Sequence, residues 1–313
     1  MKQALVLALL SLTLWADAHL FVYHRFGDAK HASTNISLEN LKKQFDYLKD
    51  NNYQVISLAK LNKALKNKKN IPDNWVVLCI DDSYKSFYQN GLALFKEYDY
   101  PFTLFVYIEA TDKNYGDFMT WDQIKDTQKY GEIGLHSYAH KHMVSFSTEE
   151  THQDTNKALN SFKNNLGYSP KYYAYPYGEF DDNLKKELKQ YGFELILNQN
   201  VGAVSSLSPR DDLDRIALTG EVNLKQKLRI KYLDAEWIAP KSYPANAKLN
   251  KIHVTMPASI KKAELYVSGG GWEQIKIQKG SFKSTKTYPL RFKRTRIIIK
   301  DGNAYTSKII VEK

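Results

Sequence analysis

Trp75-Val76-Val77-Leu78-Cys79-Ile80-Asp81-Asp82 is an unbroken apolar run of strand length that ends in two adjacent carboxylates. Some fifty residues later a second short apolar stretch, Gly131-Glu132-Ile133-Gly134-Leu135, runs into His136-Ser137-Tyr138-Ala139-His140. A solvated Asp pair or a surface His pair has no reason to sit just past a buried strand. In barrels of parallel strands, however, the carboxyl ends of the strands are where chemistry is placed. One carboxylate and two imidazoles make a catalytic ligand count for a borderline divalent ion such as zinc, with one coordination position open and a second Asp left over as proton acceptor.

Working outward, strand-like runs alternate with amphipathic stretches. Leu20 to Tyr23, Tyr53 to Leu58, Trp75 to Ile80, Phe102 to Ile108, Glu132 to Leu135, Tyr172 to Tyr175, Phe193 to Leu197 and Ile216 to Leu218 read as strands. Between them, Leu38, Leu41, Phe45 and Leu48 recur at the spacing of one helical face, and Thr148 to Leu166 and Leu184 to Tyr191 follow the same rule. The alternation predicts an α/β fold, a distorted (β/α) barrel of about seven to eight strands over residues 19–220. Residues 221–247, with Pro240 and Pro244, read as a linker. From Lys248 to Lys313 the runs are short and β-rich, punctuated by Ser268-Gly269-Gly270-Gly271, Lys279-Gly280 and Asp301-Gly302, which predicts a C-terminal all-β, sandwich-like domain.

Charge divides along the same line. From Glu221 onward there are 20 Lys and Arg against 7 Asp and Glu, a net of +13; residues 1–220 hold 25 against 27, a net of −2, so the overall +11 belongs to the C-terminal part. Such a surface attracts an anionic glycan or membrane, although edge lysines that only prevent strand-to-strand aggregation are a common alternative. No nucleic-acid-binding module is recognisable. Met1 to Ala18 has the order of an export signal, with Lys2, an apolar core from Ala4 to Leu14, and Ala16-Asp17-Ala18 as a small-x-small cleavage site, so a periplasmic, envelope-associated or secreted protein is expected. Cys79 is the only cysteine, which excludes an intramolecular disulfide, and its place inside an apolar strand makes it a buried hydrophobe rather than a nucleophile.

With these residues placed, the barrel resembles the polysaccharide deacetylases of carbohydrate esterase family 4, the NodB-like deacetylases. Cys79-Ile80-Asp81-Asp82-Ser83-Tyr84 resembles the family's Thr-Phe-Asp-Asp-Gly motif, His136-Ser137-Tyr138-Ala139-His140 fits its His-Ser/Thr-x-x-His motif, and Tyr173-Ala174-Tyr175-Pro176-Tyr177-Gly178 resembles its Arg-x-Pro-Tyr motif. The resemblance implies that Asp82, His136 and His140 bind the metal, that Asp81 is the base, and that the backbone N–H of Tyr177 helps hold the oxyanion of a tetrahedral intermediate.

Two family elements are out of place: Ala174 stands where an Arg would brace the catalytic carboxylate, and no His follows the third motif inside the barrel. The first strand ends in Tyr23-His24-Arg25, which resembles the rearranged members that deacetylate poly-β-1,6-N-acetylglucosamine, and on that resemblance His24 is the general acid. First and last strands of a closed barrel are neighbours, so such a His can reach the same mouth. Arg215 is a candidate for the missing brace, but its ordinary reading is an ion pair with Asp211, Asp212 or Asp214, and it is placed with Tyr138, Tyr175 and Pro176 among residues contacting substrate. The implied activity is removal of N-acetyl groups from an acetylated extracytoplasmic polysaccharide. Peptidoglycan is the rival substrate, and a glycan-binding barrel without turnover is the rival class.

Overall fold

The computed structural model describes residues 17–313, so the export signal expected over Met1 to Ala18 lies almost wholly outside the described residues. Eight parallel strands form the first sheet; seven make its continuous path, β1 (His19–Tyr23), β2 (Trp75–Ile80), β3 (Thr103–Val106), β4 (Glu132–Leu135), β5 (Tyr172–Ala174), β6 (Leu195–Leu197) and β7 (Ile216–Ala217), and the short strand Gln54–Val55 pairs with β2 off that path. Their spatial order is β7-β1-β2-β3-β4-β5-β6. β6 and β7 do not pair with each other; the chain at Leu213 bridges to Leu197 instead, which makes the barrel a distorted one. The strand expected from Tyr53 to Leu58 is only Gln54–Val55, because Ser57 caps a helix that begins at Leu58.

Three helices follow the expected periodicity: α1 (Leu38–Asp50), α2 (Thr148–Leu166) and α3 (Asp182–Lys189). α2 starts where Ser147 and Glu150 form a reciprocal capping box and stops at Gly167, whose φ of 82° is open to glycine at little cost. Alternation along the strands then sorts the core. Phe21, Tyr23, Leu78, Ile80 and Val106 pack against α1 and α2 through Phe45, Ala158 and Phe162. Leu20, Val22, Val77, Cys79 and Phe105 point the other way and share a second core with Leu58, Leu61 and Leu65. Asp81 continues the Val77, Cys79 series and so enters the enclosed side of the sheet, which is what brings a carboxylate inside. Cys79 is fully buried there, and burial pushes its thiol up to about 12, so it is inert packing.

The C-terminal part is built mainly of two sheets around a separate core, antiparallel except for one short parallel edge strand, Lys231–Tyr232. β8 (Lys231–Tyr232), β11 (Lys262–Val267), β12 (Trp272–Lys276), β14 (Arg294–Asp301) and β15 (Ala304–Val311) form one sheet in the order β8-β15-β14-β11-β12. β9 (Glu236–Ala239), β10 (His253–Thr255) and β13 (Ser281–Lys283) form the other. Val254, Leu265, Ile275, Phe282, Ile297, Ile299 and Ile310 fill the space between them. Residues 221–247, read above as a linker, therefore supply a strand to each sheet. No helix among the described residues is long and apolar enough to cross a membrane.

Candidate active site

The site lies where β2, β4 and β5 end. After β2 the chain turns through Asp82 (φ 71°) and Ser83 (φ 57°), and after β4 through Ser137 (φ 63°) and His140 (φ 48°); Tyr177 beyond β5 has φ 58°. Five non-glycine residues in the left-handed region at one place are strain of about 1–3 kcal/mol each, tolerated because the surrounding contacts over-determine them. Those contacts are visible: the Asp81 N–H donates to Tyr23 O at 2.9 Å, the His136 N–H to Val106 O at 3.0 Å, and the His140 N–H to Ser137 Oγ at 3.0 Å. Asp154 of α2 accepts from the N–H groups of Tyr138 and Ala139, both at 2.8 Å, which pins the turn between the two His.

Asp82, His136 and His140 each offer one ligand atom, and all three atoms lie within 4.8 Å of one another. Asp82 Oδ1 stands 2.9 Å from His140 Nε2 and 3.3 Å from His136 Nε2, yet is a buried oxygen without a hydrogen-bond donor. His136 Nδ1 is 2.7 Å from Ala174 O, so that nitrogen carries the proton and Nε2 presents its lone pair to the cluster. An orphaned carboxylate oxygen facing imidazole nitrogens is a donor set that fits a divalent cation. The local field agrees. Burial works against charge on His136, but Asp81 and Asp82 outweigh it and raise its affinity for a proton. Burial likewise opposes charge on Asp82, and the imidazoles of His136 and His140 facing it hold its carboxyl well below the ordinary range.

Asp81 is fully buried beside this cluster and is gripped by Arg215, Nη1 to Oδ1 at 2.7 Å and Nη2 to Oδ2 at 2.8 Å. The Arg215 Nε–H donates to Asn198 O at 2.8 Å, so the guanidinium is fixed at both ends. Burial alone would raise Asp81; the charges of Arg215 and His136 overcome it and keep the carboxylate ionised at neutral pH. His24 belongs to the same electrostatic neighbourhood. Burial lowers its pKa while Asp82 and Asp81 pull it back up, and its buried Nδ1 has no partner.

The residues expected to touch substrate fare differently. Arg215 is fully buried and spent on Asp81, so it offers nothing to a sugar; the ion pairs expected with Asp211, Asp212 or Asp214 are replaced by this one. Tyr175 is buried with its hydroxyl donating to Asp211 O at 3.3 Å, and Pro176 is buried beside it. Tyr138 is 7% exposed, with Lys157 Nζ 3.9 Å from its ring centroid. Strand alternation and the tightness of the turn send these side chains inward. Tyr177 is the open one, 38% exposed, its ring stacked on His142 at 4.2 Å and meeting His140 edge-on at 4.7 Å.

Reading by motif overlooked Asn198, which holds Arg215, and the pair His142 and Glu179, joined at 2.7 Å on the rim of the site. The hold on Arg215 runs through a backbone carbonyl, which no residue type signals in the sequence.

Residues 68–196 match the family model described as polysaccharide deacetylase. The chain is 23% identical over 231 residues to the poly-beta-1,6-N-acetyl-D-glucosamine N-deacetylase of Escherichia coli (strain K12), covering 59% of this chain and 34% of that one. It is 24% identical over 192 residues to the protein of the same name from Staphylococcus aureus (strain N315), covering 56% and 66%. The chain thus spans about a third of the length of the E. coli relative. Among solved structures, the Streptococcus pyogenes deacetylase PplD in complex with acetate superposes with a TM-score of 0.63 at 21% identity, over 68% of this chain and 98% of that one. IcaB from Ammonifex degensii gives 0.58 at 24% identity, over 65% and 92%. These two likenesses confirm the barrel. The matched family model thus gives the barrel a polysaccharide deacetylase domain over residues 68–196, and the three motifs lie within it.

Proposed function

We propose that the chain is a metal-dependent N-deacetylase acting on an N-acetylglucosamine polysaccharide outside the cytoplasm, an exopolysaccharide rather than peptidoglycan. The observation that carries this reading is the partnerless Asp82 Oδ1 between two imidazole nitrogens, next to a second carboxylate that Arg215 keeps charged. A divalent ion, zinc by donor type, held by Asp82, His136 and His140 would polarise the acetyl carbonyl and acidify the attacking water. Asp81 takes the proton of that water, and its fixed guanidinium partner prevents it from swinging onto the cluster. The Tyr177 N–H receives the carbonyl oxygen as it gains charge. His24 returns a proton to the departing sugar nitrogen, so acetate and a free amine result.

Supporting the substrate choice, relatives matching this barrel bear the name poly-beta-1,6-N-acetyl-D-glucosamine N-deacetylase, and Tyr23-His24-Arg25 at the end of the first strand resembles the rearranged subgroup. The leader-like Met1 to Ala18 supports an extracytoplasmic location. The rival reading of a barrel without turnover leaned on Ala174, and Arg215 now stands on the carboxylate that this position leaves unbraced. The deciding assay is acetate release from β-1,6-linked N-acetylglucosamine oligomers and from peptidoglycan, with and without a chelator. Release from the oligomers that a chelator stops and added zinc restores is expected; release from neither substrate in the presence of zinc refutes the proposal.

A further inference from the structure

We propose that the C-terminal β-domain is part of the catalytic apparatus, with Arg294 as a positioning residue that fixes the turn carrying the Tyr177 N–H; this rests on the deacetylase reading above. Arg294 opens β14 and reaches across the seam between the two parts of the chain. Its Nη2–H donates to Tyr177 O at 2.8 Å and its Nε–H to Glu179 Oε1 at 2.9 Å. The other oxygen of Glu179 bonds His142 Nδ1 at 2.7 Å, and the His142 ring lies flat on Tyr177, 4.2 Å away and inclined by 13°. The Glu179 side chain is fully buried, so a carboxylate has been sequestered where Arg294 and His142 are its partners. Tyr177 is thereby held from both sides, by its carbonyl from below and by its ring from above.

The turn needs holding. Tyr177 sits at φ 58°, a conformation that L-residues leave when unsupported, and its N–H direction follows from that angle. An oxyanion donor contributes only while it points at the developing charge, and a misplacement of about 1 Å is enough to lose most of the effect. Arg294 pins the next peptide plane through its carbonyl, which sets that direction. Two residues on, the same face of β14 repeats the device: the Arg296 Nη2–H donates to Gln199 O at 2.9 Å. Gln199 follows β6, and its side chain comes to 3.5 Å from Asp81 Oδ2. One strand of the second domain thus ties down two of the loops that build the mouth.

The test uses the full chain, a β-1,6-linked N-acetylglucosamine oligomer and four proteins: wild type, Arg294→Ala, Arg294→Lys and Lys241→Ala. The last breaks a surface ion pair at the same seam, Lys241 with Asp182 at 2.9 Å, without touching the turn. Arg294→Ala is expected to lower kcat about ten- to hundred-fold while KM stays within roughly two-fold and bound zinc per chain is unchanged. Amide hydrogen exchange over residues 177–180 should accelerate, with the rest of the barrel at wild-type rates. Arg294→Lys should recover part of kcat, since an ammonium meets the carbonyl or Glu179 but not both, and Lys241→Ala should match wild type throughout. Wild-type kcat in Arg294→Ala, exchange that accelerates across the whole barrel, or an equal loss in Lys241→Ala overturns the proposal. A wild-type chain that releases no acetate refutes the deacetylase reading instead; hydrogen exchange then still decides whether Arg294 holds the turn, and unchanged exchange overturns that too.

Discussion

The two ends of this molecule use charge in opposite ways. At the barrel mouth, Asp81, Asp82, His136 and Arg215 are all buried; Arg215 grips Asp81, His136 is fixed on Ala174 O, and Asp82 faces two imidazole nitrogens. In the C-terminal domain many Lys and Arg spread over the surface. Part of that excess faces the barrel across the seam, where Arg294 meets Glu179, Lys313 meets Asp181 and Lys241 meets Asp182. Buried charges are costly unless paired, so the first group can be changed only with large effects; exposed ones are screened and exchange partners cheaply. The contrast also reinterprets the charge split between +13 and −2: some of the tail's basicity serves to attach it to its own barrel.

The largest effect is expected at His136. His136→Ala removes one of three candidate ligands, and both bound metal and acetate release should vanish; a variant that keeps stoichiometric metal by elemental analysis refutes the ligand set. Asp81→Asn should retain the metal and lose roughly two to four orders of magnitude in kcat, the usual worth of a positioned base.

Arg215→Met tests the buried pair itself. Leaving Asp81 charged and unpartnered should cost about 3–5 kcal/mol of stability, read by denaturant unfolding. The sign of the pH effect follows from the direction of the shift. Arg215 depresses the Asp81 pKa, so the pair stabilises the fold above the unfolded carboxylate pKa and that stability is lost as pH falls through the lower folded value. Without Arg215 the folded value rises, and the acid limb of kcat/KM should move to higher pH. A limb that stays in place would show that Asp81 is not the titrating base.

Nearer the seam, Asp212 and Asp214 run the other way. Burial raises them to about 6 and about 7, and each bears on the other or on Asp211, while Asn198 Nδ2 donates to both at 2.5 and 3.0 Å. Carboxyls with raised folded values favour the fold below pH 4 and lose that contribution as pH climbs through 6 and 7. Asp214→Asn should therefore flatten the fall in Tm between pH 5 and pH 8 by several degrees; an unchanged slope would place the titration elsewhere. The smallest effect is expected at the exposed end. Replacing Lys276, Lys283 and Lys286 together by Gln should weaken adsorption to an anionic glycan at low salt, with the difference gone above ~0.1 M ionic strength and acetate release from oligomers unaltered.

Much of this site was legible in the chain because its parts are local. A strand ending in Asp81-Asp82 and a strand ending in His136-Ser137-Tyr138-Ala139-His140 place ligand types at strand ends by alternation and spacing alone, and parallel strands bring those ends to one side. The same rules gave α1, α2 and α3 nearly to the residue, since helical periodicity and the Ser147 cap are short-range signals. The burial of Tyr138, Tyr175 and Pro176 was not legible, because an aromatic in a polar loop looks the same whether its turn folds inward or outward. Arg215 and Arg294 were settled only by tertiary structure: they lie 134 and 117 residues from the groups they hold. Periodicity carries no information about which distant carboxylate or carbonyl a long guanidinium side chain will reach. That is decided by barrel closure, which sets β7 beside β1, and by the docking of β14 against the turn after β5.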